Sequence, residues 1–256
     1  MLIRSWNLYH GNSFPPDRRS HLEEMVGLAT VDRPDALLLQ EVPAWAIGRL
    51  AAWSGMTVFA DVAQRPRLGP IPISARLGRT LTSIDHGRFR SAFSGQANAI
   101  LLGRGMQAAG RESVTLNPAS FRHEQGRILG LDLVERLAWA KERRICQAVR
   151  LERGMVVANL HATGSLGDAR IPAAELVRAA EFVESLAREG DTVVIGGDFN
   201  CIAAHIALDG YSDPGPGIDH VAVRGAAASP LRVWRDDLRR RNGLLLSDHA
   251  PVELSL

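Results

Sequence analysis

The chain has 256 residues, which is enough for one large domain or two small ones, and its hydrophobic (46%) and charged (23%) fractions are ordinary for a globular protein. These values exclude disordered and fibrous classes. The formal net charge is only +2, and Lys141 is the sole lysine. Arginine suits bidentate contacts with phosphate or carboxylate, although a GC-rich genome would encode the same bias.

The sequence shows no pattern typical of a targeting segment and no cysteine motif. The chain enters its first apolar run at 1–7 without a segment long enough for a signal peptide, and no run approaches twenty apolar residues. Cys146 and Cys201 belong to no CxxC pair, which argues against a zinc site or a disulfide framework. We expect a cytoplasmic monomer that does not act at membranes.

Apolar runs and capping residues predict alternating strands and helices in the first hundred residues. Strands are expected at 2–7, 36–39, 57–59 and 98–102, with helices from Asp17 or Ser20 to Thr30 and from Pro43 to Trp53. From 64 to 94 the pattern is lost, and we expect a structureless loop rich in arginine. Such a loop would either attract a phosphate backbone or form a solvated insertion. Its arginines are Arg65, Arg67, Arg76, Arg79, Arg88 and Arg90.

The second half of the chain predicts more strands and one long helix. Strands are expected at 128–133, 145–151, 155–161, 193–198, 217–223 and 231–234, with a hairpin turn at 152–154. The helix is expected from Asp168, as its N-cap, to Arg188. Nothing between these elements looks like a linker, so we expect a single domain over residues 1–256. Helices between hairpin-like strands predict two sheets packed face to face with helices outside.

Ligand and acid–base residue types follow one apolar run after another. The run at 193–195 leads through Gly196 and Gly197 to Asp198 and Asn200. The carboxyl end of a strand is where ligand chemistry usually lies in an open sheet, although Asp and Asn also favour turns. If these positions were only surface turns, their residue types would vary. The repeated occurrence of ligand and acid–base types after apolar runs therefore indicates one shared site. The other such strand ends carry Asn7, Glu41, His161, Asp219, Asp248 and His249.

The chain resembles the endonuclease/exonuclease/phosphatase superfamily over nearly its whole length. The resemblance implies a fold like that of pancreatic DNase I, a four-layered α/β sandwich of two mixed or antiparallel sheets with helices outside. The motifs occur in the order of the family: Trp6-Asn7, Leu39-Gln40-Glu41, the segment 95–101, Asn159-Leu160-His161, Gly196-Gly197-Asp198-Phe199-Asn200, Ile218-Asp219-His220 and Ser247-Asp248-His249-Ala250-Pro251-Val252.

The resemblance also implies a metal site. Hydrolysis of a phosphate ester needs a positioned water and neutralisation of charge on the phosphoryl oxygens. Mg²⁺, the expected cofactor with Mn²⁺ as the alternative, prefers carboxylate, amide and water oxygens. Glu41 is then the main metal ligand, with Asn7 beside it and Asp248 contributing from the far end of the chain.

The resemblance assigns catalytic roles to five further residues. Asp198 orients or deprotonates the attacking water, and Asn200 donates to a phosphoryl oxygen. Asp219 pairs with His249, which activates the phosphate as base, acid or electrostatic clamp. His161 contacts the phosphate or protonates the leaving group, as in the DNase-like and sphingomyelinase-like branches.

Other polar residues receive a structural interpretation. His220 is expected to point to the opposite face of the sheet from Asp219 by strand alternation. Arg127 and Arg144 each begin a predicted strand and face either the phosphate site or solvent. The remaining histidines are interpreted as ordinary polar residues: His10, His21, His86, His123 and His205.

The favoured function is a Mg²⁺-dependent phosphodiester hydrolase, most simply an endonuclease cleaving nucleic acid by metal-assisted attack of water on phosphorus. The arginines of the 64–94 segment and five more from Arg232 to Arg241 motivate the nucleic-acid substrate. The alternative is a phosphatase or phosphodiesterase acting on a small-molecule or lipid-headgroup phosphate ester. A non-catalytic binding module would have lost some of the catalytic residues, and none is lost. An abasic-site endonuclease is disfavoured because neither Tyr9 nor Tyr211 matches the tyrosine of the repair enzymes.

Overall fold

The computed structural model describes residues 1–164, 168–203, 206, 208–212 and 214–256, apart from the side chains of Ser91 and Ala92. His205 lies outside the described residues. The described strands are β1 (Leu2–Asn7), β2 (Ser13–Phe14), β3 (Ala36–Val42), β4 (Thr57–Gln64), β5 (Arg67–Leu68), β6 (Ile71–Pro72), β7 (Gln96–Leu102), β8 (Ala108–Thr115), β9 (Ile145–Leu151), β10 (Met155–His161), β11 (Thr192–Asp198), β12 (Asp219–Arg224), β13 (Arg232–Val233), β14 (Arg240–Arg241), β15 (Leu244–Leu246) and β16 (Val252–Ser255).

Helices are fewer and mostly short. The described α-helices are α1 (Leu22–Thr30), α2 (Leu50–Ser54), α3 (Ala75–Thr82), α4 (His86–Phe93), α5 (Ala119–Ile128), α6 (Leu133–Ala140) and α7 (Arg170–Leu186). Short 3-10 helices occupy Tyr9–Gly11, Ile47–Arg49 and Asp236–Arg239. In the described part of the chain, none of the helices combines the length and the apolar composition needed to cross a lipid bilayer.

Two large sheets pack face to face around the core. Sheet I has the strand order β13-β16-β1-β3-β7-β4, and sheet II has the order β12-β11-β10-β9-β8. Alternate side chains of each strand face the other sheet, and buried aliphatic residues such as Leu38, Ile100, Val157 and Val194 fill the space between them. Helices α1 and α2 pack on the outer face of sheet I, and α7 packs on the outer face of sheet II. The predicted four-layered sandwich is confirmed.

Two glycines let β11 fit between its neighbours. A Cβ on Gly196 would lie 2.6 Å from Cδ1 of Leu38 in the facing sheet. Gly197 has a φ of +144°, and a Cβ there would lie 1.9 Å from the carbonyl oxygen of Leu160 in β10. Neither position has room for a side chain. The glycines therefore bring the end of β11 close to both β3 and β10.

A buried amide on β10 joins the two sheets directly beneath the strand ends. Oδ1 of Asn159 accepts a hydrogen bond from Nε2 of Gln40 at 2.7 Å. Its Nδ2 donates to the carbonyl oxygens of Leu39 and Ala99, at 2.9 and 3.0 Å. Asn159 is completely buried. One side chain of sheet II is therefore bound to β3 and β7 of sheet I.

The arginine-rich segment 64–94 is folded, so the predicted structureless loop is wrong. It contains the β5–β6 hairpin followed by α3 and α4. Ser74 and Asp85 cap the two helices by accepting the N–H groups of Leu77 and Arg88, each at 3.2 Å. Both helices have only eight residues and bury few of them. Each helix is therefore shorter than the window of about 11–18 residues over which a helical periodicity can be recognised in a sequence.

The strand predicted at 128–133 is also wrong. Ile128 ends α5 and Leu133 begins α6, so Arg127 lies in a helix and does not begin a strand. A capping box between Asp132 and Glu135 starts α6. A short apolar run fits a strand and a helix boundary equally well, and here the capping box identifies the helix.

Several other predicted elements exist with different bounds, and three of them differ in a way that affects their type, length or capping. The helix expected from Pro43 is a 3-10 helix followed by the short α2, and the strand expected at 231–234 is only the two-residue β13. Helix α7 is contained in the predicted span, but its N-cap is Ala169 and not the predicted Asp168, whose carboxylate accepts the backbone N–H of the first helical residue, Arg170, at 2.9 Å.

We predict that Asn159→Leu lowers the free energy of unfolding by about 2–4 kcal/mol, because it leaves buried hydrogen-bonding groups of β3 and β7 without their partner. Urea denaturation monitored by circular dichroism measures the change. The matched control is Gln107→Leu, at an exposed position, where we expect a change within about 0.5 kcal/mol. Equal stability of the two variants would contradict a structural role for this amide.

Candidate active site

Three acid–base side chains form a row across one end of sheet II. The strand register places His161 of β10 beside Asp198 of β11, and Asp198 beside Asp219 of β12. Nε2 of His161 lies 3.4 Å from Oδ2 of Asp198. All three residues are buried. The register of three consecutive strands therefore brings together residues that are 58 positions apart in sequence from first to last.

Sheet I contributes Asn7 and Glu41 from the facing strand ends. Nδ2 of Asn7, the last residue of β1, donates to Oδ2 of Asp198 at 2.9 Å. Glu41 has a φ of +52° and lies where the pairing of β3 with β7 becomes irregular. Non-glycine residues rarely adopt this conformation. Oε1 of Glu41 lies 3.9 Å from Nε2 of His161, so the two sheets share one cleft.

The loop before β16 brings Asp248 and His249 to the same cleft. Nδ1 of His249 lies 2.7 Å from Oδ2 of Asp219, a charge-assisted hydrogen bond. Nε2 of His249 lies 3.9 Å from Oδ2 of Asp198 and 4.0 Å from Oδ1 of Asp248. The imidazole is thus held at one edge and surrounded by carboxylates at the other.

Buried donors fix the loop that carries these two residues. Nη1 of Arg239 donates to the carbonyl oxygens of Ser247 and His249, at 2.8 and 3.1 Å. Nε1 of Trp6 also donates to the His249 carbonyl, at 2.9 Å, and the Ser247 hydroxyl donates to that of Asn7 at 2.7 Å. Arg239 is therefore a structural residue and not part of the basic surface that its sequence position suggested.

The pKa values of Asp198 and His249 are both raised in the cleft. Burial, followed by the negative charge of Asp219, raises the pKa of Asp198 to about 7. Burial disfavours the imidazolium of His249, but the hydrogen bond and charge of Asp219 outweigh it and raise the pKa of His249 to about 10. His249 is therefore an imidazolium at neutral pH, next to a carboxyl group that titrates near pH 7.

The donor set at the sheet I side fits a hard divalent cation. Glu41 and Asp248 supply carboxylates, and Asn7 supplies an amide oxygen that accepts the Tyr9 N–H at 3.0 Å and has a second lone pair. Burial raises the pKa of Asp248, and the charge of Glu41 adds to the effect. A cation bound between these carboxylates would neutralise the negative charge that raises the pKa of Asp248.

A second group of possible metal ligands differs from the predicted set. Ligand atoms of Asp198, Asp219 and His249 all lie within 4.8 Å of one another. Nδ1 of His249 is already engaged by Asp219 at 2.7 Å. A protonated imidazole cannot ligate a metal, so in this state the group consists of the hydrogen-bonded pair of Asp219 and His249 with the Asp198 carboxylate 3.9 Å from the imidazole.

His10 belongs to the cleft, although the sequence analysis treated it as ordinary. Its Nε2 lies 3.2 Å from Oε2 of Glu41, and its ring is almost completely buried. Its backbone φ is +53°, and its carbonyl oxygen accepts a hydrogen bond from Nε2 of His86 at 2.9 Å. Burial lowers the pKa of His10. The only sequence signal was its position three residues after Asn7.

Arg144 also contacts the cleft, which the sequence analysis left open. Its Nη1 lies 3.0 Å from both ring nitrogens of His161, and its Nη2 donates to Glu142 at 2.6 Å. Burial and then the Arg144 charge lower the pKa of His161 well below its ordinary value. A neutral His161 beside a buried guanidinium is suited to an anionic substrate.

Asn200 and His220 occupy the edge of the site. The backbone N–H of Asn200 donates to Oδ1 of Asp198 at 3.0 Å, and its Nδ2 donates to the carbonyl oxygen of Ala162 at 3.0 Å. Among the described residues, the second N–H of the Asn200 amide has no acceptor and can donate to a ligand. His220 points away from the cleft, with Nε2 at 2.9 Å from the carbonyl oxygen of Cys201. This orientation agrees with the structural role expected for His220.

The chain belongs to the Endonuclease/Exonuclease/phosphatase family, because the profile of that family matches residues 5–249. It is therefore a hydrolase acting on phosphate esters with a DNase I-like fold. Members of the family generally depend on a divalent metal ion. A search of curated protein sequences finds no significant match to the chain.

Solved structures share the fold at low sequence identity. A truncated Caenorhabditis elegans TDP2 matches with a TM-score of 0.65 and 13% identity, over 99% of this chain and 95% of that chain. An endonuclease/exonuclease/phosphatase from Beutenbergia cavernae DSM 12333 matches with a TM-score of 0.66 and 16% identity, over 99% and 70%. A mannosyl-6-phosphatase from Bacteroides thetaiotaomicron VPI-5482 gives 0.58 and 15%, over 100% and 98%. These likenesses concern the fold alone.

We predict that Asp219→Asn lowers the pKa of His249 from about 10 toward the ordinary histidine value, because it removes the negative charge that stabilises the imidazolium. The same interaction stabilises the fold fully below the unfolded-state pKa of about 6.5, and this contribution is lost as pH rises through about 10. Long-range ¹H–¹⁵N NMR of the histidine rings in EDTA, as pH is varied, measures the pKa. Asp237→Asn, on an exposed pair with Arg235, is the control. A wild-type His249 that titrates near pH 6.5 would contradict the assignment.

Proposed function

We propose that the protein is a Mg²⁺-dependent phosphodiesterase that cleaves nucleic acid as an endonuclease. The observation that carries the proposal is the convergence of His161, Asp198 and His249 in one cleft, with Glu41 at 3.9 Å from His161. Four elements that are distant in sequence supply these side chains. Burying such a polar cluster at the strand ends costs desolvation free energy that its internal hydrogen bonds do not offset. Its presence is therefore better explained by function than by stability.

Asp198 positions the attacking water in this proposal. Asn7 and the Asn200 backbone each donate to one of its carboxylate oxygens, which fixes the orientation of the carboxylate. A pKa near 7 lets it hold a proton taken from water at neutral pH. The second N–H of the Asn200 amide then donates to a phosphoryl oxygen.

His249 and His161 bind the phosphoryl group from two sides. The Asp219 hydrogen bond keeps His249 in its imidazolium form, whose Nε2–H donates to a non-bridging oxygen as negative charge develops. His161, between Arg144 and Asp198, contacts the phosphate or the leaving oxygen. These positions support a phosphorus-centred reaction, which develops charge on several oxygens at once.

Asn7, Glu41 and Asp248 would hold the metal ion. When bound, a divalent cation supplies Lewis-acid neutralisation of the phosphoryl oxygens. The Glu41 side chain is 19% exposed and that of Asp248 is 34% exposed, so both are reachable from the cleft mouth. Oxygen donors favour Mg²⁺, with Mn²⁺ as the alternative.

The alternative substrate is a small-molecule or lipid-headgroup phosphate ester. The fold is shared with a mannosyl-6-phosphatase, so the fold does not separate the two substrate classes. The arginines from Arg232 to Arg241 give less support to nucleic acid than the sequence suggested, because Arg232 pairs with Glu253 and Arg235 pairs with Asp237. We further propose that residues 1–256 form a single domain that acts as a monomer.

We predict that Asp198→Asn and His249→Ala each lower kcat by about 10²–10⁴-fold, the usual range for acid–base and oxyanion-stabilising groups. Hydrolysis of bis(p-nitrophenyl) phosphate with Mg²⁺ measures the loss, and circular dichroism tests whether the fold is intact. His123→Ala, at an exposed position of α5, is the matched control and should retain wild-type activity. Wild-type activity in either cleft variant would remove the assigned roles.

We predict that EDTA abolishes hydrolysis and that Glu41→Gln weakens metal affinity about 10–100-fold, because it removes a negative charge from the donor set. Calorimetric titration with Mn²⁺ measures the affinity independently of activity. Glu112→Gln, at an exposed position of β8, is the control and should bind as the wild type does. The metal assignment fails if Glu41→Gln and Glu112→Gln bind Mn²⁺ equally well.

A further inference from the structure

A basic groove lies beside the cleft and belongs to none of the assignments above. It has a volume of about 440 Å³ and is lined by Arg65, Arg67, Lys141 and Arg143, with Pro72 at one wall. Two of these cations come from the arginine-rich segment and two from the approach to β9. The folding of the arginine-rich segment therefore brings the only lysine of the chain and three arginines together.

Among the residues that the structure describes, none of the four cations of the groove forms an ion pair with a carboxylate. The nearest acid in sequence, Glu142, is engaged by Arg144 at 2.6 Å. Arg76 and Arg104 are likewise exposed and form no ion pair with a described residue, so the groove is distinguished by the gathering of four such cations around one concavity. Four uncompensated charges around one concavity produce a positive potential that attracts a polyanion.

The groove is built on ordered backbone. The guanidinium of Arg143 donates to the Thr115 hydroxyl at 2.9 Å and to the Val62 carbonyl oxygen at 3.5 Å, so neutral acceptors hold it in place without cancelling its charge. The β5–β6 hairpin is closed by the Ile73 N–H, which donates to the Pro66 carbonyl oxygen at 2.9 Å. A fixed cation loses less conformational entropy when it binds an anion.

The groove and the cleft lie at the same end of sheet I, because Gln64 of the groove pairs with Gln96, and the next residue, Ala97, pairs with Val42 beside Glu41. Arg143 lines the groove, and the next residue, Arg144, contacts His161 at 3.0 Å. Successive Cα atoms are about 3.8 Å apart, so one short segment carries a cation for each site.

We infer that this groove binds backbone phosphates of a nucleic-acid strand whose scissile phosphate lies in the cleft. The inference depends on the proposed phosphodiesterase function and specifies its substrate as a polyanion longer than the reacting group. Contacts from exposed cations to phosphates carry no base information, so this groove adds affinity without sequence preference. A compact phosphate monoester would be too small to occupy the cleft and the groove together.

An anionic membrane is the other polyanion to consider. Leu68 and Ile71 at the β5–β6 hairpin are 49% and 63% exposed, an apolar pair of the kind that lipid-contacting loops use. The hairpin has no aromatic residue, whereas interfacial segments favour Trp and Phe. The cations also line a concavity formed by two segments, which fits a strand better than a flat surface. We therefore favour nucleic acid and include the membrane as an outcome of the test.

The test compares Arg65→Gln/Arg67→Gln with Arg76→Gln/Arg104→Gln, a control that removes two exposed arginines outside the groove. Fluorescence anisotropy of a labelled single-stranded 20-mer, as DNA and as RNA, in EDTA measures binding without cleavage. We expect the groove variant to raise Kd about 10-fold and to reduce the slope of log K against log salt by about 1.4, since each lost phosphate contact contributes about 0.7 on single strands. The control should change Kd by less than about 2-fold.

Hydrolysis then separates failure of this inference from failure of the proposed function. With Mg²⁺, the groove variant should lose about 10-fold more kcat/KM on the 20-mer than on bis(p-nitrophenyl) phosphate. Equal losses in groove and control variants would overturn the inference, as would groove-dependent binding to phosphatidylserine vesicles without binding to the 20-mer.

If the wild type hydrolyses the small diester but neither binds nor cleaves a strand, the groove assignment and the nucleic-acid substrate fail while the phosphodiesterase activity remains. If it hydrolyses neither, the proposed function fails, and the anisotropy result still decides the groove.

Discussion

The positions of the site residues depend on one buried amide that joins the two sheets. Asn159 binds Gln40 and the backbone of sheet I, and it lies two residues before His161. Gln40 lies one residue before Glu41. The same hydrogen bonds that set the spacing of the sheets therefore set the distance between a residue of each wall of the cleft. Because an unpaired amide inside the core is costly, the alternative spacings are disfavoured.

The carboxylates of the cleft fall into two groups, which differ in how far nearby positive charge compensates them. Asp198 and Asp219 face the His249 imidazolium, so much of their negative charge is compensated within the protein. Glu41 has two imidazoles as neighbours, from His10 and His161, and burial disfavours the charged form of both. The carboxylate of Glu41 is then left without a full counter-charge. That difference explains why a cation is expected at the Glu41 side and a phosphoryl group at the His249 side.

The fold and most of the cleft could be predicted because their signals are local. Buried strands give apolar runs, and the polar residues that end them stand out, as Asp198 does after 193–195. His10 gave no such signal, because it lies in a turn with positive φ whose direction depends on the packing of β1. The helices α3 and α4 gave no clear signal either, because eight residues are too few to establish a helical periodicity and their caps, Ser74 and Asp85, are residue types that also favour turns. The chemistry at strand ends was therefore easier to recognise than the loops around them.

Arginine content alone was a poor guide to the surface that binds an anion. Arg4 and Arg239 are buried and donate hydrogen bonds to carboxylates or carbonyl groups, so they contribute to stability and loop position. A biased genome explains why a basic residue is arginine, but it does not explain where uncompensated cations gather. In this fold four such cations line one groove, and Arg143 of the groove directly precedes Arg144, which contacts His161 in the cleft. Location and lack of counter-charge, which only the tertiary structure provides, are therefore what connect the basic residues to a substrate.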